Sequence, residues 1–146
     1  MEHEDDFVLI DRITEAATNK IREGTSIFEL SETEQVAMMV NCAQGAVDNS
    51  GFYLFYDIPW PGTPAYSLFI EAFRKIGAEE VAKYFAETAA LFPFENAHLD
   101  RERRLAFLDG LRDWSRFEML GERVMDLHKD TMSKLADYIR KHQPAK

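Results

Sequence analysis

The sequence predicts an all-α fold, a single compact domain of about six or seven helices with short loops. Three observations predict it. Apolar residues recur at intervals of three and four along most of the chain, strand-like alternation is almost absent, and helix-start and helix-stop residues punctuate the periodic runs. The 146 residues, 46% apolar and 12% aromatic, suffice for one hydrophobic core and leave little room for a second domain.

Residues 5–23 carry the first helix, an acidic amphipathic element within residues 1–24. Phe7, Ile10, Ile13, Ala17 and Ile21 form its apolar stripe, with Asp5, Asp11, Glu15 and Glu23 opposite and Gly24 as the stop. Ser31-x-x-Glu34 is a capping box for the second helix, in which each side chain satisfies an amide the helix leaves unpaired. Val36, Met39, Val40, Ala43 and Val47 form its inner stripe; Glu34, Asn41 and Asp48, spaced by seven, are expected on its outer side. Gly51 is expected to end it.

The stretch NSGFYLFYDIPWPGTP, residues 49–64, then reads as an aromatic, proline-rich loop. Pro59 and Pro61 forbid a continuous helix there. Thr63 and Pro64 read as the cap and first residue of a third helix, whose stripe is Phe69, Ala72, Phe73 and Ile76. Gly77 closes that helix. Glu79 and Glu80 open the next, with Val81, Tyr84, Phe85, Thr88 and Leu91 inward and Glu79–Lys83 and Lys83–Glu87 pairs outward. After the break FPFENAHLD come helices marked by Leu105, Leu108 and Leu111, by Met119, Leu120, Val124 and Leu127, and by Met132, Leu135, Tyr138 and Ile139.

The net charge of −9 is unevenly placed: residues 1–73 carry −10 and residues 74–146 carry +1. An acidic half repels phosphate, which argues against direct contact with nucleic acid or an anionic membrane and favours a basic partner. No apolar run approaches the ~20 residues of a membrane span. The start MEHEDDFVLI is acidic where a secretory signal is basic, and the lone Cys42 excludes an internal disulfide, so a cytoplasmic setting is expected.

Catalytic signatures are thin. Nucleotide-binding glycine motifs, nucleophile elbows and paired metal-binding motifs are missing, and the histidines at 3, 98, 128 and 142 are far apart. One Glu95-x-x-His98 occurs where a di-iron bundle needs two, so neither a metal nor a cofactor is expected. Asp57 beside the aromatics is the one candidate general base, weighed against an ordinary turn aspartate.

Three ordered blocks carry a resemblance: VDNSGFYLFY (47–56), FIEAFRKIGAEEVAKYFAETAALFP (69–93), and FEMLGERVMDL (117–127) with LADYIRKH (135–142). Together, over about residues 30–142, they resemble a bacterial family of acidic DNA-mimic proteins. Ser50 stands where that family's block has a second Gly. The resemblance implies a non-enzymatic binding protein that occupies the DNA-binding surface of a basic partner such as a transcription factor. The contact residues expected from the helix faces are Asp5, Asp11, Glu15, Glu34 and Asp48. An alternative is an immunity-type or scaffold module binding through the aromatic loop 52–60, with Tyr53 and Trp60 as hot spots. An enzyme with a pocket near Asp57 is the third. The charge split also allows a homodimer, with the acidic half of one copy meeting Arg101, Arg103, Arg104, Arg112 and Arg116 of another.

Overall fold

The structure, a computed structural model, describes residues 5–142. Among those residues there are seven α-helices and no strand: α1 (Asp6–Arg22), α2 (Glu32–Asp57), α3 (Tyr66–Lys75), α4 (Glu79–Ala89), α5 (Arg101–Asp109), α6 (Ser115–Asp126) and α7 (His128–His142). Single 3-10 turns at Ile27–Glu29 and Ala97–Leu99 lead into α2 and α5.

The caps explain several boundaries. Asp5 accepts the Phe7 amide at the start of α1, and the Ser31–Glu34 capping box opens α2 in both directions. Asp100 accepts the Arg103 amide to start α5. The third helix begins later than the Thr63–Pro64 signal suggests. Its cap is Ala65, without a side-chain bond, because Thr63 is drawn into a left-handed turn (φ 48°) that closes on the Trp60 carbonyl.

The main correction concerns residues 52–57, which are helical and not loop. Helix α2 breaks at Ser50 (φ −149°, ψ 26°) and Gly51 (φ 71°, ψ −170°) and resumes at once. One glycine absorbs the change of direction, since its conformation is nearly closed to residues with a Cβ. The prolines end the helix seven residues later than Gly51 alone would.

Helix α2 is the hub, packed against α1, α3, α5, α6 and α7. It is buried on most sides: Ala37, Met38, Gln44 and Ala46 join the expected stripe inside. Beyond the kink, Phe52, Phe55 and Tyr56 enter a core shared with Phe69, Phe73 and Phe85. The rings meet mostly edge to face, as in Phe52–Phe85 at 5.0 Å and Phe55–Phe69 at 5.1 Å, the arrangement their quadrupoles favour. Tyr56 satisfies its hydroxyl on Thr88 (2.7 Å), and burial drives its phenol far above the ordinary range.

On α1 the inner stripe is Leu9, Ile10, Ile13 and Ala17. Phe7 lies about 120° round the helix from Ile13; it is 57% exposed and stacks on His128. Leu91, expected inward on α4, sits past the helix end at the surface. Glu87 pairs with Arg116 of α6 and not with Lys83.

Candidate partner-binding surface

The seven-residue line Glu34, Asn41, Asp48 does not stand free on an outer face: Glu34 is buried, and Asn41 and Asp48 are half-buried between α2 and its neighbours. It forms a polar seam inside the bundle. Lys20 of α1 reaches Glu34 at 2.6 Å, Asn41 donates to the Thr14 hydroxyl of α1 at 3.2 Å, and His128 Nδ1 of α7 lies 2.6 Å from Asp48. Gln44, one turn earlier than Asp48, donates both to that carboxylate (2.9 Å) and to the Val124 carbonyl of α6 (3.1 Å). The seam thus fastens three helices to the hub.

Glu34 is the most committed of these acids, with a side chain only 9% exposed. Burial by itself pushes its carboxyl up, but Lys20, the Ser31 hydroxyl and the Ser31 amide together outweigh that and hold it below its ordinary range. Replacing Glu34 by Gln is expected to cost about 1–2 kcal/mol at neutral pH, the value of a charge-assisted bond in a half-closed site. The sign follows from the depressed carboxyl. Its stabilisation is complete above the ordinary value of 4.5 and disappears as pH falls through the lower folded-state value. Urea melts of wild type and Glu34→Gln at pH 7 and pH 3 should therefore show the gap closing at low pH; a gap independent of pH would place the stabilisation elsewhere.

The acids of α1 behave differently. Asp5 is spent in part on its cap, while Asp11 and Glu15 stand exposed along an open groove with Val8 and Asn19 and make no ion pair among the described residues. A second acidic row was not anticipated. Glu118, Glu122 and Asp126 of α6 are all exposed, and none of them is ion-paired among the described residues. Their spacing of four sets one carboxylate about every 6 Å along the helix axis. Phosphates advance ~3.4 Å along the duplex axis, and farther through space because the strand winds. Glu118 and Glu122 also edge a groove of about 440 Å³ over the Gly51 kink. Arg123 breaks the row in sequence but not in space, since its guanidinium turns to the Tyr84 ring, 5.6 Å away. Asp126 precedes His128 by two residues, and Phe7 at the start of α1 stacks on the His128 ring.

The aromatic candidates are taken up by the fold. Tyr53 leans on Trp114 and donates its hydroxyl to Asp109 at 2.9 Å. Trp60 is half-buried; its indole N–H donates to the Phe55 carbonyl at 3.0 Å and its ring rests on Phe55 and Phe69. Asp57 is clamped by Arg101, which bonds both its carboxylate (2.6 Å) and its carbonyl (2.8 Å) at the end of α2.

The arginine cluster is largely consumed too. Beyond Arg101, Arg104 is buried, Arg116 pairs with Glu87, and Arg103 lies 4.2 Å over the Phe94 ring. Arg101, Arg103, Arg112 and Arg116 nonetheless stand exposed.

Among the described residues no group of three His, Cys, Asp or Glu side chains is placed to hold a metal ion, and no helix is long and apolar enough to cross a membrane. Burial raises the Cys42 thiol above its ordinary range, which favours the unreactive protonated form.

No curated protein and no solved structure matches this chain. The family model of DMP19-like proteins matches residues 28–142, which include all three sequence blocks and every helix but α1. On that match the chain belongs to the DMP19-like family, a family of DNA-mimic proteins.

Proposed function

We propose that this chain is a non-enzymatic DNA mimic, which offers the unpaired carboxylates of α6 and α1 to the DNA-binding surface of a basic cytoplasmic partner such as a transcription factor. The observation that carries the reading is the row Glu118, Glu122 and Asp126, exposed on one rigid helix without counter-ions among the described residues. Asp11 and Glu15 extend the charge on α1, with Asp5 at its head. Glu34 and Asp48 support this surface from below by fixing α1 and α7 to α2. Rigid carboxylates suit the role because a surface evolved for phosphate presents fixed positive charge. Association of this kind is fast and salt-sensitive.

The test starts with capture of a partner from the source lysate on the tagged chain, followed by elution with duplex DNA. The purified partner is then titrated by fluorescence anisotropy. The double variant Glu118→Lys/Glu122→Lys is expected to lose about 100-fold or more in affinity, because each reversal converts an attraction into a repulsion. Asp11→Lys/Glu15→Lys should lose less. Both variants should keep wild-type circular dichroism, since surface substitutions change stability by only about 0.5 kcal/mol. Affinity unchanged by all four reversals, or binding indifferent to both salt and DNA, would defeat the reading.

A further inference from the structure

We propose that the cavity between the 58–66 loop and the start of α5 is a binding site for a small monocarboxylate, held by the guanidinium of Arg104. This site is separate from the acidic rows and does not depend on the mimic reading.

The carrying observation is a buried charge without a partner of opposite sign. Arg104 is 3% exposed. Its Nε donates to the Tyr56 carbonyl at 2.9 Å and its Nη1 to the Ala97 carbonyl at 2.8 Å. No carboxylate lies within ion-pair distance of it among the described residues, in a chain whose acids outnumber its bases by nine. Buried arginines are ordinarily paired, because a guanidinium without an anion in a low-dielectric site is costly. A guanidinium has five N–H donors, and the two carbonyls use two of them.

The spare donors have somewhere to point. Arg104 lines a cavity of about 180 Å³, room for about six waters. Sealed side-chain atoms without a partner are confined, among the described residues, to Gln44 Oε1 and Thr131 Oγ1. Nη2 of Arg104, which has no acceptor among the described residues, is therefore not sealed and is open to that space.

The remaining lining selects the ligand. Tyr66 is pushed up to about 12 by burial, with Arg104 pulling weakly the other way, so its phenol keeps its proton at neutral pH and can donate. His98 meets the Tyr66 ring edge-on at 6.2 Å and has no hydrogen-bond partner among the described residues. Thr63 also lines the cavity, from a backbone conformation (φ 48°) that β-branched residues rarely adopt. Arg101 also lines the cavity, but Asp57 already matches its charge. One unmatched positive charge calls for one negative charge; the guanidinium fork accepts a carboxylate or a phosphate in the same bidentate way, but a single carboxylate balances the charge whereas a dianionic phosphate exceeds it.

The test is an amide and imidazole NMR titration of the whole chain at constant ionic strength. The probes are acetate, N-acetylalanine, acetamide and inorganic phosphate. Acetate is expected to saturate with a Kd on the order of 1 mM, shifting resonances of residues 58–66 and 97–104. Acetamide, equal in shape but neutral, should leave them unmoved. Tighter binding of N-acetylalanine than of acetate would support the site and identify a chain terminus as its source of carboxylate; the reverse would identify a free acid. Arg104→Met should abolish saturation. Because that variant exposes two carbonyls and can unfold, His98→Leu serves beside it: it breaks no hydrogen bond and should weaken acetate about threefold. Acetate indistinguishable from acetamide, shifts confined to other surfaces, or phosphate saturating first would overturn the proposal.

Discussion

Phe55→Ala is expected to lower stability by about 3–5 kcal/mol, the largest effect of any single substitution considered, with a fall in Tm of roughly 10 °C or more. Phe55 is 1% exposed and sits where four segments converge. Its ring lies 5.1 Å from both Phe85 of α4 and Phe69 of α3, 4.9 Å from Tyr56, 5.7 Å from Tyr66 and 5.5 Å from Trp60. Truncation removes the transfer energy of a benzyl group and leaves a void walled by rigid rings, which collapse poorly into it. Tyr53→Ala is the matched control, two residues away in sequence but half-buried at the edge, where about 1 kcal/mol is expected. Guanidinium melts of the two variants decide the matter. A Phe55→Ala loss no larger than that of Tyr53→Ala would mean that the aromatic half of α2 is not an anchor of the core.

Gly51→Val should cost about 3 kcal/mol, at the top of the range for a strained backbone, while Ser50→Gly should change stability by well under 1 kcal/mol. A Cβ at position 51 would meet nothing within 4 Å, so the penalty is conformational and not a clash. At φ 71° and ψ −170°, valine must either bear the strain or shift the kink and with it Phe52, Phe55 and Tyr56. Position 50 has a negative φ and tolerates a side chain. The pair of variants thus explains why serine can replace a glycine in the NSGF block without loss of the kink. Equal stability for wild type and Gly51→Val would show that the helix can bend elsewhere.

The amphipathic helices were legible because each buries one stripe. Helices α3 and α4 and the capped start of α2 follow from Phe69, Phe73, Val81, Phe85 and the Ser31–Glu34 box. The aromatic half of α2 was not legible, because it is enclosed on most of its surface and a helix buried all round has no periodicity to read. Gly51 ahead of Pro59 and Pro61 also carries the signal of a loop, and only the packing shows that the chain resumes its helix after two non-helical residues, Ser50 and Gly51. The same enclosure hid the fate of Glu34 and Asp48. A seven-residue spacing marks a common side of a helix but cannot say whether that side meets solvent or another helix. On α6 the four-residue spacing of Glu118, Glu122 and Asp126 stands in the sequence, but Arg123 obscures it until its contact with Tyr84 is seen. Arg104 gave no sign of its own: among the arginines of RERR, only the fold distinguishes the buried one from the exposed.

Helix α1 lies outside the matched region and is divided sharply between its two sides. Leu9, Ile10, Ile13 and Ala17, with Thr14 and Lys20 on the seam, lock it in place, while Asp11 and Glu15 touch no part of the interior that must be preserved. Natural selection can therefore revise this face codon by codon with the fold indifferent to the outcome. A lineage whose binding target drifts could follow it by exchanging a few outward side chains, and the inner stripe would keep no record of the change.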